Sequence, residues 1–141
     1  MKSVEILIRE FREKGKKVTP QRIAICKYLH NNKSHPTADE IYKALKVDYP
    51  SISLNTIYKT LDLLINLGEI KKLPHNPKKN NFDPETVHHH HLVCNKCDKI
   101  MDVQYNFSKF FSLPKKLTRN FKIKNFQVAF EGLCETCQGN H

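Results

Sequence analysis

From Phe82 to Cys97 the chain reads FDPETVHHHHLVCNKC, and a second Cys-x-x-Cys falls near its end at Cys134 and Cys137. A carboxylate, four consecutive histidines and a thiol pair in so short a span exceed anything that packing requires. The sequence therefore reads as two metal sites built side by side, with the rest of the chain holding and controlling them. Each Cys-x-x-Cys sets two thiols on one turn, and two such pairs satisfy a tetrahedral zinc ion with no open position. A closed site of that kind stores folding energy and performs no chemistry. A thiol redox switch or an Fe–S cluster would draw on the same residues, Cys94, Cys97, Cys134 and Cys137. Structural zinc is favoured, because two pairs far apart in sequence would clamp a weak core.

The histidines belong to a different site. His89 and His91 are two residues apart, so on a strand both point to one face while His88 and His90 point to the other. With Asp83 before them and Asp102 after the first thiol pair, that face offers two imidazoles and two carboxylates. The mixture suits Fe²⁺, Mn²⁺ or Zn²⁺ better than a thiolate-seeking metal. His35, in the loop SHPTADE, is a candidate third imidazole. Cys26 falls on the apolar face of a predicted helix and reads as buried filler.

The 141 residues suffice for one ordinary domain or two small ones, and with 39% hydrophobic residues small halves need a staple such as a metal or a dimer partner. The formal charge of +10 is lopsided: residues 1–82 carry 16 basic and 8 acidic side chains, residues 83–141 carry 8 and 6. A basic first half suits a polyanion, since each phosphate met by Lys or Arg releases counterions. No apolar run approaches the roughly 18 residues of a membrane span. A soluble cytoplasmic protein with no membrane partner is expected, and that reducing compartment favours metal-bound thiols over disulfides.

Taken in order, Val4, Leu7, Ile8 and Phe11 recur at helical spacing until Gly15. Thr19-Pro20 opens a second helix as N-cap and first-turn proline, with Ile23 and Cys26 inward. Thr37 and Glu40 form a capping box for a third, carrying Ile41, Ala44 and Leu45. Ser53 caps a fourth, with Ile57, Leu61, Leu64 and Ile65 inward and Gly68 as its stop. Glu69 to Leu73 then reads as a strand and PHNPKKNN as a basic turn, with Phe82 in the returning strand. Helices followed by such a hairpin describe a winged helix-turn-helix over residues 1–82. Its recognition helix would present Ser51, Ser53, Asn55, Thr56, Tyr58 and Lys59 near its start, and its wing Lys78 and Lys79. Asp83-Pro84 is the expected boundary. Residues 83–141 read as a small α/β unit with strands at Leu92-Val93, Ile100–Val103 and Phe126–Phe130 and a helix through Phe107, Phe110 and Phe111 that stops at Pro114. Its exposed strand edges invite a partner subunit. The fold class is thus α+β.

These residues carry a resemblance. Thr19 to Arg22 (TPQR), His35 to Tyr42 (HPTADEIY), Ser53 to Leu61 (SLNTIYKTL), the HxHxxCxxC run and the terminal CxxC occur in the order of the ferric uptake regulator (Fur) family of bacterial metal-dependent repressors. The likeness extends over essentially the whole chain. It implies a homodimer that binds a palindromic duplex, with Thr19, Gln21 and Arg22 among the DNA contacts. It also implies zinc on the four cysteines and a regulatory Fe²⁺ or Mn²⁺ between two domains. The family's peroxide-sensing branch uses three His and two Asp, which match His35, Asp83, His89, His91 and Asp102; iron sensors tend to have Glu at the first and last carboxylate. An iron- or zinc-responsive uptake regulator is the alternative within the family. The family's additional metal site is poorly matched, because Lys109 and Phe126 stand where Glu and His are expected beside His88 and His90.

Two other classes use similar donors. A zinc hydrolase or deaminase would take Glu85 as general base, but no substrate pocket is signalled. A zinc-ribbon RNA-binding protein would explain the charge and leave the His/Asp set without a purpose. The expected protein is not an enzyme.

Overall fold

The computed structural model describes residues 1–75 and 79–139, which form two compact units, Met1–Val87 and His88–His141. Asp83, expected to open the second unit, is instead the last residue of a strand in the first.

The first unit holds four helices and a hairpin: α1 (Val4–Glu13), α2 (Pro20–Leu29), α3 (Ala38–Leu45), α4 (Leu54–Asn66), β1 (Lys71–Leu73) and β2 (Asn81–Asp83). The starts of α2, α3 and α4 carry the expected caps. Thr19 Oγ1 accepts from the Arg22 N–H at 3.2 Å, Thr37 and Glu40 form a reciprocal box, and Ser53 Oγ accepts from the Thr56 N–H at 3.1 Å. Each cap meets backbone donors that the first turn leaves without a helical partner. The apolar stripes converge on one core of Leu7, Phe11, Ile25, Leu29, Ile41, Ile57, Leu61, Leu64, Ile70 and Phe82. Cys26 is buried in it, and desolvation pushes its thiol up to about 12, so it stays protonated as an apolar filler. Ala44, expected inward, is exposed; the buried face of α3 is set by Ala38 and Ile41.

At the end of α4, Gly68 adopts φ +72°, its N–H donates to the Ile65 carbonyl, and the Glu69 N–H donates to the Leu64 carbonyl. That paired closure absorbs Glu69 and delays the expected strand to Lys71. Glu69 is nevertheless buried, with its carboxylate taking the Lys2 N–H at 2.7 Å and the Lys2 ammonium at 3.1 Å. β1 and β2 pair antiparallel, Lys71 opposite Asp83 and Leu73 opposite Asn81. Lys79 is exposed beyond them; Lys78 lies outside the described residues.

The second unit has a three-stranded sheet in the order β4-β3-β5, with β3 (His90–Cys94) antiparallel to β4 (Ile100–Val103) and parallel to β5 (Ala129–Gly132). Two short helices, α5 (Lys115–Thr118) and α6 (Glu135–Gln138), complete it. The strand expected from Phe126 begins at Ala129, because upstream backbone is spent on the histidines: the Val128 N–H goes to His90 Nδ1 rather than to a ladder partner. The helix expected through Phe107–Phe111 does not form. Asn106 captures the Ser108 N–H at 2.9 Å, a local bond that competes with a helical one, and Pro114 starts α5 instead of ending a helix. Among the described residues of this unit only Cys94 and Ile100 are buried apolar side chains, while Phe110, Phe111, Leu117 and Phe121 are exposed.

Among the described residues no helix is long and apolar enough to cross a membrane. Gly68→Ala, which forces a β-carbon into the left-handed region, is expected to destabilise the first unit by about 1 kcal/mol in denaturant titration.

Candidate metal centres and nucleic-acid interface

Cys94 ends β3, Cys97 follows on the turn into β4, and Cys134 and Cys137 flank the first turn of α6. The four sulfurs lie within 4.8 Å of one another, with Cys97 Sγ and Cys134 Sγ 3.7 Å apart. A tetrahedral zinc ion with Zn–S bonds of about 2.3 Å sets its sulfurs about 3.8 Å apart, so this cage fits zinc. The Cys134 N–H donates to Cys94 Sγ at 3.4 Å, and with the Cys97 amide it lowers the Cys94 thiol to about 6. The anionic form that metals require is therefore already favoured at one corner. At the opposite corner the hydrogen bond to Cys134 pushes the Cys137 thiol up to about 12. Four thiols crowded together cannot all ionise unaided, and a divalent cation removes that conflict.

The histidine run divides by face. On one face His89 Nε2 lies 3.1 Å and His91 Nε2 3.7 Å from Asp102 Oδ1, and the two rings meet edge to face with centroids 4.6 Å apart. His91 and Asp102 are register partners across β3 and β4, which is why residues so far apart in sequence share a point. Gln127 Nε2 lies 3.1 Å from His91 Nδ1 and orients that ring, leaving Nε2 toward the carboxylate. In the first unit, His35 Nε2 lies 3.8 Å from Asp83 Oδ1, and both side chains are almost wholly buried. Each of these two sets offers only nitrogen and oxygen donors, which fits Fe²⁺ or Mn²⁺.

On the other face His88 Nε2 meets the Phe126 carbonyl, and His90 Nδ1 accepts from the Val128 N–H at 3.1 Å. Burial holds the His90 imidazole below its usual range, and a neutral ring is what that acceptor role needs. Phe126 tilts against both rings at 5.9 and 5.6 Å, and among the described residues no carboxylate or thiol gathers with them.

The expected DNA-contact residues cluster where α2 and α4 begin. Lys17, Thr19, Gln21, Arg22, Thr56 and Lys59 line one open cleft. Arg22 Nη1 donates to the Lys17 carbonyl at 2.6 Å and Gln21 Nε2 to Ser51 Oγ at 3.0 Å, which fixes the rim. Asn55, Tyr58 and Lys59 are exposed along α4, whereas Thr19 and Ser53 serve as caps and Thr56 is half-buried against Ser53. Sequence reasoning missed Gln127 and Lys17. The alternation around Val128 hinted at the first, and nothing but charge marked the second.

A winged-helix unit followed by a unit built round a four-thiolate cage and a His/Asp cluster is the build of a metal-dependent transcription regulator, not of an enzyme. The comparisons agree. The model of the ferric uptake regulator family matches residues 13–131. The peroxide-responsive repressor PerR of Staphylococcus aureus is 38% identical over 136 residues, 96% of this chain and 91% of that protein. The Campylobacter jejuni peroxide stress regulator superposes with a TM-score of 0.65 at 28% identity, covering 97% of this chain and 100% of that one. The Helicobacter pylori ferric uptake regulator, described as having three functional metal binding sites, shares the fold with a TM-score of 0.75 at 20% identity over 97% and 95% of the two chains. This chain belongs to the ferric uptake regulator family.

Cys94→Ser or Cys137→Ser should lose zinc and the folded second unit together. Atomic absorption and circular dichroism on the purified variants check this; a variant without zinc that keeps its fold contradicts a structural role.

Proposed function

We propose that this protein is a cytoplasmic, homodimeric repressor that binds a palindromic DNA site when Fe²⁺ or Mn²⁺ is bound and releases it on exposure to peroxide. In this reading residues 1–87 bind DNA and residues 88–141 hold the dimer, with zinc on Cys94, Cys97, Cys134 and Cys137. The observation that carries it is the donor chemistry. His89, His91 and Asp102 form a cluster without sulfur, and the carboxylates at 83 and 102 are both Asp. The naming of the Staphylococcus aureus relative as a peroxide-responsive repressor supports the same branch.

His35 and Asp83 supply one imidazole and one carboxylate from the DNA-binding unit; His89, His91 and Asp102 supply the remaining donors. Sharing one ion ties each DNA-binding unit to the dimer body, which favours the arrangement in which both recognition helices enter successive major grooves. Asn55, Tyr58 and Lys59 then lie against base edges or the adjoining backbone, and Thr19, Gln21, Arg22, Ser53, Thr56, Lys78 and Lys79 lie near phosphates. Ferrous iron held by these residues would supply the electron that reduces peroxide to an oxidant beside the His35 and His89 imidazoles, a reactivity that manganese would not share. Once His35 or His89 carries an added oxygen, its nitrogen no longer holds the site together and the DNA-binding units lose their fixed spacing. The zinc thiolates are set apart on their own turn and take no part in the response.

Mass spectrometry after a brief, low dose of peroxide tests the sensing step. One added oxygen on the peptide containing His35 or His89 is expected with Fe²⁺ and not with Mn²⁺. DNA release that follows oxidation of Cys94 or Cys97 equally with either metal would overturn the histidine route. For the wing, Lys78→Ala or Lys79→Ala should weaken binding to all sequences alike and reduce the salt dependence by about one counterion. Fluorescence anisotropy over a salt series reads that slope.

A further inference from the structure

In the first unit, β2 does more than pair with β1. Asn81, two residues before Asp83, is buried, and its side-chain amide donates to the backbone carbonyl of His35 at 2.7 Å. The Phe82 N–H donates to the Pro36 carbonyl at 3.0 Å, and Asn81 forms an isolated antiparallel bridge with Thr37. Three consecutive residues of the His35 loop are thus tied to one short strand. The tie falls where the backbone is under strain: His35 adopts φ +52°, the left-handed region that a β-carbon disfavours. A residue other than glycine stays there only where its surroundings over-determine it. The same strand, one residue past Phe82, carries Asp83, whose carboxylate lies 3.8 Å from His35 Nε2.

A backbone carbonyl needs a donor. An asparagine amide supplies one, whereas a leucine of similar size supplies none. The carbonyl that Asn81 holds belongs to the strained residue itself, so the bond acts directly on the orientation of the His35 backbone and, through it, on the imidazole.

We propose that Asn81 is a positioning residue for the regulatory metal: its amide fixes the His35 backbone in the left-handed conformation and so aims the imidazole at the point it shares with Asp83. The inference rests on the reading of His35 and Asp83 as metal ligands. It assigns to Asn81 a task in metal binding and none in contacting DNA or zinc.

The test uses Mn²⁺ alone as the probe, titrated into the zinc-loaded full chain, with free Mn²⁺ measured by electron paramagnetic resonance. Asn81→Leu removes the donor at similar volume; Asn81→Ala removes donor and volume together and covers the case in which leucine fails to fold. Each variant should bind Mn²⁺ about tenfold more weakly or worse, the size expected when a partner behind a metal ligand is lost. Zinc content should be unchanged, and at saturating Mn²⁺ DNA binding should return to the wild-type level. Hydrogen exchange of residues 34–37 in the protein lacking the regulatory metal should quicken. A merely structural Asn81 would lower thermal stability while leaving Mn²⁺ affinity intact in the folded variants, and that result overturns the proposal. His35→Ala separates the two levels of inference. Undiminished Mn²⁺ binding there removes the ligand reading and the proposal with it. Loss of Mn²⁺ binding there, with wild-type affinity in both Asn81 variants, overturns the proposal alone.

Discussion

Four sulfur atoms stand in for a hydrophobic core in the second unit. With Cys94 and Ile100 its only buried apolar side chains among the described residues, the sheet has little interior to hold it. The cage joins the turn after β3 to the start of α6, so it closes a loop of about forty residues that weak packing would leave open. The exposed phenylalanines fit the same economy: a unit this thin, with its aromatic rings left outside, relies on the metal inside.

The first unit is built the other way. Its helices α2, α3 and α4 are capped by side chains at their starts, and all four pack round one apolar core. The two donors proposed for it, His35 and Asp83, are carried on a strained loop and a three-residue strand at the margin of that core. A rigid body with two donors at its edge is well suited to a switch.

Local rules made the first unit legible. Thr19, Thr37, Ser53 and Gly68 each mark a helix end through a bond that a sequence displays directly, and the apolar spacing of α4 sufficed to place its buried face. The thiol cage was legible for a similar reason, since Cys-x-x-Cys spacing is a local geometric requirement. The errors fell where side-chain bonds to the backbone overrode the apolar pattern. Phe126 and Val128 alternate as a strand should, yet His90 takes the Val128 amide and postpones the ladder. Phe107 to Phe111 carry a helical stripe, yet Asn106 diverts the backbone first. Asn81 left no signal and Gln127 only the alternation around Val128, because their partners are a carbonyl 46 residues away and a ring 36 residues away.

The four histidines hold a degeneracy that the strand must resolve. A slide of β3 by one residue would still present imidazoles to both faces through the middle of the run, so side-chain identity there cannot report the error. The register is legislated from outside the repeat. Cys94, three residues beyond His91, must reach the cage; Asp102 must stand opposite His91; and the parallel pairing of His91 with Ala129 fixes the third side. A homopolymeric stretch is thus made to spell one arrangement by neighbours that are not themselves repeated. Lengthening or shortening the run by a single histidine would leave its composition almost untouched, and with Cys94 and Asp102 holding the strand the displacement would fall on Val87 and the residues before it.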